Sequence, residues 1–370
     1  MKKYQNFEFV SEGETPVLVS KDKNSKRGPG SKGRLPFYNP AMELNRDLSV
    51  LIGQWFLNNN RKRVVRFLDG LAASGIRGVR FANELDGDFE VTINDWDRDA
   101  YGLIKKNLEK CELENVFATN KNLNLLLSEE KYDYIDVDPF GSPVFFVDSA
   151  MRTLCNNGVL ACTATDVATL CGVYPKVCMR RYAARPFHSP MMHEIGLRIL
   201  VGFISREAAK YDKGVEPLVC YSTDHYFRVY ARVRNGTGYA NESVTNTSII
   251  KSDELIPNSN GSDIGPLWVG RLQNKNVIKN LRMILFDKKL KTKHTLLRLL
   301  DLLEEEADAP CFFYTTNDLA SMLKTSPPRM KKIFEKLKNK GYMVTRTHFS
   351  NTGFKTNAPL DEIEKVFLCL

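Results

Sequence analysis

From Arg63 onward the chain alternates short apolar runs with segments whose apolar residues recur every three or four positions. That alternation predicts strand–helix–strand units laid into a parallel sheet. The runs at 64–68, 89–93, 134–137 and 159–163 read as buried strands, and 97–111 and 144–154 as helices between them. In 192–211, Ile195, Ile199, Leu200 and Phe203 fall on one face of a long helix. Two further strands, 217–222 and 226–233, follow with a tight turn between them, so the sheet is expected to end in one antiparallel strand.

The character changes near residue 235. Residues 235–260 are rich in Asn, Ser, Thr and Gly, which places a domain boundary near their start and divides the chain into 1–235 and 236–370. Helical periodicity then returns, first with Val277, Leu281, Ile284 and Leu285, then with Leu296, Leu300 and Leu303. From about residue 312 the pattern reads as a winged helix. Asn317 is expected to cap a helix to Lys324, and Ser326 with Pro327 to open a second helix that stops at Gly341. Met330, Ile333, Phe334 and Leu337 give that helix its buried face, leaving Arg329, Lys331, Lys332, Lys336, Lys338 and Lys340 outside. The alternating stretch 342–348, a turn at 351–353 and residues 354–356 supply the wing. Such a unit binds nucleic acid or holds proteins together.

Length and composition, 370 residues with 43% hydrophobic and 26% charged, fit an ordinary globular protein of two domains. The net charge of +9 favours a polyanionic partner, either nucleic acid or an acidic membrane surface. Positive charge gathers at 21–34, with six basic residues against Asp22, and at 271–298, with nine against Asp287. Each is a solvated surface or an RNA contact. Residues 1–10 lack the apolar core of a secretory signal, and no run approaches the ~20 apolar residues that cross a bilayer. A cytoplasmic protein without membrane attachment is expected. Eight cysteines without a C-x-x-C pair and five unclustered histidines give no reason to expect a metal or a disulfide framework.

Residues 67–78, Phe-Leu-Asp-Gly-Leu-Ala-Ala-Ser-Gly-Ile-Arg-Gly, form a strand end, a loop of small residues and a helix start. Small side chains let backbone approach a ligand, and a helix amino terminus offers free N–H groups to an anion. Asp69, Ser74, Gly75 and Arg77 are therefore candidate cofactor residues, although the same turn serves to pack a helix on a sheet. The next strand ends in Asn94-Asp95, and an acid there accepts hydrogen bonds from ribose hydroxyls. Loop and acid together favour an adenosine-containing ligand, NAD or S-adenosylmethionine.

Asp138-Pro139-Phe140-Gly141 at the end of the fourth strand decides between them. The lone pair of an exocyclic amine is delocalised into its base, so acceptors must hold the N–H groups for the nitrogen to become nucleophilic. Asp138 and the Pro139 carbonyl supply the acceptors, Pro139 stiffens the backbone that aims them, and Phe140 stacks on the base. The carboxylate need not remove a proton first, because the amine is far too weak an acid at neutral pH.

These residues, with Phe37-Tyr38-Asn39-Pro40, Asn45-Arg46-Asp47, the loop 73–80, Thr163-Ala164-Thr165-Asp166, His193-Glu194, Asp224-His225-Tyr226, Gly265-Pro266-Leu267-Trp268 and Thr345-Arg346-Thr347-His348-Phe349, resemble the tRNA guanine-26 N2-dimethyltransferase family over nearly the whole chain. The resemblance implies a class I, Rossmann-like methyltransferase sheet, doubly wound, followed by a C-terminal α+β tRNA-binding domain. It implies S-adenosyl-L-methionine as cofactor, tRNA as partner and no obligate protein partner. It further implies that Arg46 and Arg77 contact the cofactor, that Asp95 holds its ribose, that Asp138 and Phe140 engage guanine and that Phe37 completes the pocket wall. One departure stands out. Where the family shows Asp-Ala-Asn before the fourth strand, this chain has Asn122-Leu123-Asn124, at the position that faces the adenine amino group. An Asn oxygen still accepts that hydrogen bond. Some relatives carry a cysteine cluster in the second domain, and 235–310 has none.

Two other functions share these features. A nucleic-acid-binding protein with a relic cofactor site would bind RNA but not S-adenosylmethionine, and an amino-methyltransferase of another nucleic acid would prefer duplex DNA over tRNA.

Overall fold

The computed structural model describes residues 6–21, 35–60, 64–111, 113–223, 225–256 and 259–370. The basic stretch at 21–34 lies outside the described residues beyond Lys21, as does Asp224. A hairpin of β1 (Phe7–Glu12) and β2 (Thr15–Ser20) precedes α1 (Glu43–Asn58). Strands and helices then alternate as β3 (Val65–Asp69), α2 (Ile76–Glu84), β4 (Phe89–Asn94), α3 (Arg98–Cys111), β5 (Val116–Thr119), α4 (Leu123–Glu129), β6 (Tyr134–Val137), α5 (Val144–Thr153) and β7 (Gly158–Ala164). A longer crossover carries α6 (Val167–Leu170), α7 (Pro175–Tyr182) and α8 (Met192–Ala209) to β8 (Lys213–Ser222) and β9 (Phe227–Asn235). After these come α9 (Thr237–Thr245), β10 (Thr247–Lys251), α10 (Ser252–Leu255), β11 (Asp263–Trp268), α11 (Lys275–Asp287) and α12 (Lys293–Glu306). The chain ends in β12 (Tyr314–Thr315), α13 (Thr316–Leu323), α14 (Met330–Asn339), β13 (Val344–Arg346), β14 (Gly353–Thr356) and α15 (Leu360–Leu368).

Seven strands form one sheet in the order β5-β4-β3-β6-β7-β9-β8. The first five are parallel, and β9 runs antiparallel to both neighbours, as the tight turn before it predicts. Strand order reverses between β3 and β6, which pair Asp69 with Asp136, so their carboxyl ends open the crevice where doubly wound sheets bind ligands. β6 and β7 are buried along their whole length, which is why their sequence is a run rather than an alternation. One face is covered by α1, α2, α3, α11 and α12, the other by α4, α5 and α8. Lys213 Nζ donates to the carbonyls of Met151 and Leu154 and so closes the carboxyl end of α5.

Several expectations shift. α8 is buried almost all round, not on one face, because β11 and α9 cover the side away from the sheet. The Asn/Ser-rich stretch after 235 is no plain connection: it holds α9 and β10, which pack on β8 and β11. Thr315, not Asn317, caps α13 by accepting the Asp318 N–H at 3.0 Å. The second helix opens at Met330, three residues beyond Pro327, with Arg329 as its extended N-cap residue. Five of the nine basic residues in 271–298 are engaged in ion pairs: Arg271 and Lys275 with Asp308, Arg282 with Asp301 and Glu304, Lys288 with Asp86, and Lys289 with Glu14. That segment is consequently less cationic than its sequence suggests. On α14, Ile333 and Leu337 are buried and all six basic residues named above are exposed.

The last segment has its own small core around Leu319, Ile333, Leu337, Phe354 and Phe367, and two buried polar links tie it to the sheet. Glu194 of α8 accepts from Lys355 Nζ at 2.7 Å, Arg198 Nε at 2.9 Å and the Phe312 N–H at 3.0 Å. His348 bonds Glu306 through Nδ1, while its Nε2 accepts the Ser222 N–H at 3.2 Å, so the ring proton resides on Nδ1. Burial alone would raise the Glu194 and Glu306 carboxyls, but Lys355 with Arg198, and His348, hold them below the usual range. A depressed carboxyl contributes stability that is present above its unfolded value and lost as pH falls through the folded one. Glu194→Ala, which removes the carboxylate that Lys355 and Arg198 both bond, is expected to cost about 3–5 kcal/mol of unfolding free energy at neutral pH. Urea titration should show that deficit shrinking below pH ~4.

Candidate functional site

A cavity of about 410 Å³ opens at the carboxyl ends of β3 and β6. Its floor is the loop after β3. Leu71, Ala72, Ala73 and Ser74 line it, and the chain then turns into α2 through Gly75. Gly75 has φ of 77°, and a Cβ there would meet Ile104 at 2.9 Å, so the turn needs glycine. The N-cap residue Gly75 has no side chain to cap α2, and Asp69 takes only the Gly78 N–H, which leaves those of Ile76 and Arg77 for a ligand anion. Asp95 follows β4, and its carboxylate accepts the Ala73 N–H at 2.8 Å and the Asp97 N–H at 2.9 Å. A carboxylate is acceptor-only, the chemistry that holds a vicinal diol. Trp96, Ile76, Ala100 and Phe145 supply apolar wall.

The opposite wall is the loop after β6. Arg77 of α2 reaches across the crevice and donates to Asp136 at 2.8 Å, to Asp138 at 2.6 Å and to Asn45 at 2.9 Å. Arg228 of β9 grips Asp136 from the other side and also reaches Thr163 at 2.8 Å. Burial would push the Asp138 carboxyl up, but Arg77 and Arg228 outweigh it and keep the group ionised below the ordinary range. Gly141, with φ of 83°, turns the loop, donates its N–H to Thr165 Oγ1 at 2.6 Å and accepts the Thr165 N–H at 2.9 Å. Ser142 donates to Tyr182 at 2.8 Å, and Tyr182 to Asp166 at 2.7 Å. Phe140, 49% exposed, meets Phe37 edge-on with centroids 4.8 Å apart.

Of the residues expected at the site, Phe37, Arg46, Asp69, Ser74, Arg77, Asp95, Asp138, Pro139 and Phe140 line this one cavity. Gly75, Asn122 and Leu123 do not. Asn122 uses its side-chain oxygen to cap α4 through the Asn124 N–H, and Leu123 is buried against Gly70. Arg46 lines the cavity, while its guanidinium also forks onto Glu12 of the hairpin and reaches the Asn39 carbonyl at 3.0 Å. The guanidinium of Arg77 bonds Asn45, Asp136 and Asp138. Asp136, Arg228, Thr165 and His225 were given no role from sequence. The available signal was weak, because Arg228 is one of three arginines in β9 and only the fold makes it the fully buried one that demands an anion.

This donor set suits a ligand with an anionic end at α2, a diol at Asp95 and a positive centre between Asp69 and Asp138, which is the chemistry of S-adenosylmethionine. Asp69 accepts the Gly78 N–H at 2.9 Å, and burial pushes its carboxyl up to about 7, only partly opposed by Arg77. Its folded value thus lies above its unfolded one, near 3.9. Between those values the folded protein keeps a proton that the unfolded chain has lost, so this group lowers stability as pH rises. Asp69→Asn keeps the acceptor for Gly78 without the charge. Between pH 5 and pH 8 the wild type should lose about 3 kcal/mol more unfolding free energy than this variant, measured by urea titration; parallel curves would show that Asp69 is ionised throughout.

Residues 22–368 match the family model described as N2,N2-dimethylguanosine tRNA methyltransferase. The chain is 40% identical to the tRNA (guanine(26)-N(2))-dimethyltransferase of Thermococcus kodakarensis, over 96% of this chain and 98% of that one. With the enzyme of the same name from Pyrococcus abyssi it shares 39% identity over 95% and 96%. The structure of Trm1 from Pyrococcus horikoshii in complex with S-adenosyl-L-methionine superposes with a TM-score of 0.86 at 34% identity, covering 97% of this chain and 99% of the other. With its sheet order, its crevice and these matches in agreement, the chain belongs to the N2,N2-dimethylguanosine tRNA methyltransferase family.

Proposed function

We propose that the protein transfers methyl groups from S-adenosyl-L-methionine to the exocyclic N2 of guanine 26 in tRNA, giving N2-methyl- and N2,N2-dimethylguanosine. The observation that carries this reading is an ionised Asp138, followed by Pro139 and a half-exposed Phe140, on the wall of a cavity whose other wall suits the cofactor. When bound, S-adenosylmethionine supplies an electrophilic methyl group on a cationic sulfur. The loop 71–74, the first turn of α2 and Asp95 hold the cofactor, and Arg46 offers its cation to the same anionic end.

On the substrate side, Phe140 stacks on the base with Phe37 packed edge-on against it as pocket wall, and Asp138 with the Pro139 carbonyl accepts the two N2–H groups. A carboxylate held below its usual range is a weak base, so Asp138 orients the amine rather than deprotonating it beforehand. Once the nitrogen has formed its new bond it is strongly acidic, and even a weak base can accept the proton. One N–H then remains for Asp138, which permits a second transfer. Swinging the target base out of its stack brings it within reach.

Residues 1–235 form the methyltransferase unit in this reading, and 236–370 bind tRNA, with a winged-helix-like part from about 312. The support is the helix–helix–hairpin order of α13, α14, β13 and β14 and the exposed cations of α14. No helix among the described residues is long and apolar enough to cross a membrane, and no group of three or more His, Cys, Asp or Glu among them could hold a metal. A cytoplasmic enzyme acting without an obligate protein partner completes the proposal.

Asp138→Ala is expected to lower methyl transfer by roughly 10²- to 10³-fold while tRNA binding persists. Nucleoside mass spectrometry of unmodified tRNA incubated with protein and cofactor reads the outcome; equal product from the variant would defeat the mechanism. Charge reversal at Lys332 and Lys336 should weaken tRNA binding and flatten its salt dependence, by nearly one in the log–log slope for each phosphate that the protein no longer neutralises. Cofactor affinity, read by calorimetry, should stay unchanged.

A further inference from the structure

The crossover from β7 to α8 leaves the sheet at the catalytic rim, because β7 runs parallel to β6 and ends beside it. Its first residue, Thr165, lines the cavity and holds Gly141. Asp166 then bonds Arg181 and Tyr182 of α7, and Tyr182 receives Ser142 from the catalytic loop. The α6–α7 segment is thereby fixed to the outside of the base pocket. It carries Val173, Tyr174 and Met179 at 52%, 56% and 48% exposure, with Lys176 and Arg180 exposed among them. Residues 166–191 hold Lys176, Arg180, Arg181 and Arg185 against a single acid, Asp166, which Arg181 already pairs. Nothing in the mechanism above uses this surface.

We propose that α6–α7 grips the nucleotides flanking the target guanine, with Tyr174 stacked on a neighbouring base and Lys176 and Arg180 on adjacent phosphates. The proposal rests on the reading of tRNA as substrate. A base that leaves its stack exposes an aromatic face of its neighbour to water, and a protein ring that covers this face lowers the cost of the excursion. Aromatic and apolar side chains interleaved with cations match that requirement in shape and charge. Tyr174 is also well supported. Its carbonyl accepts the Val177 and Cys178 N–H groups at 3.0 and 3.1 Å, and Pro175 follows it at the first helical position, so the ring stands on a firm helix start.

The test uses the full chain and unmodified tRNA carrying 2-aminopurine next to the target guanine. Tyr174→Ala should lower kcat/KM on tRNA by roughly ten- to a hundredfold, the loss of one stacked base, and relieve the quenching of 2-aminopurine that the wild-type complex produces. Tyr174→Phe should behave as wild type in both readouts. Arg180→Ala should reduce the log–log salt slope of tRNA binding by nearly one. Cofactor affinity should be unchanged in all three, since none lines the cavity. If Tyr174→Ala keeps kcat/KM within about twofold and the same fluorescence, the surface is overturned while the methyltransferase reading stands. If the wild type leaves tRNA unmethylated, it is the underlying reading that falls.

Discussion

Everything at the crevice hangs on Asp136, a carboxylate with no exposure to solvent, clasped between Arg77 and Arg228. A buried anion is tolerated only when cations and donors meet it on all sides. Meeting it here requires three elements far apart in sequence: α2 for Arg77, β6 for Asp136 and β9 for Arg228. The same two cations set the charge of Asp138, two residues on, and Asn45 and Ser49 bring α1 into the cluster. The sheet's switch point and the charge of the Asp138 carboxylate are thus one electrostatic arrangement.

The parallel strands were legible in the sequence because burial on both faces leaves unbroken apolar runs, Gly75 because its positive φ restricts residue choice, and Asp138-Pro139-Phe140 because an acceptor, a rigid ring and an aromatic at a strand's carboxyl end match amino-group chemistry. The final antiparallel strand followed from the short turn before it. The start of α14 was not legible, because Pro327 suits a first helical turn but is followed by a second proline, Pro328, and the helix begins beyond both. Asn317 lost the capping role to Thr315, since either side chain satisfies the local rule and only the path of β12 selects one. The cluster around Asp136 was out of reach, because pairing partners 59 and 92 residues apart leave no local periodicity. Asn122 illustrates the converse. Its type permits a ligand contact, and its position is equally well explained by the helix it caps.

Charge tells a similar story. Counting residues in 271–298 suggests a strongly cationic surface, yet folding brings Asp308, Asp301, Glu304, Asp86 and Glu14 to five of those cations. On α14 the hydrophobic stripe fixes which side is wet, and although Lys331 pairs with Glu335 and Lys340 with Glu362, Arg329, Lys332, Lys336 and Lys338 stand exposed beside them. A linear tally of basic residues predicts a field only where the acids stay local too.

Helices α11 and α12 lie on the same face of the sheet as α1, with Val277, Ile278 and Leu281 in the core shared with Leu48 and Leu51, and Thr292 donating to Asp47. The first half of the molecule therefore finishes its interior with side chains made after it on the ribosome. A nascent chain released at the sheet's last strand would present an unsealed greasy flank, so completion of the crevice must wait for synthesis of α11 and α12.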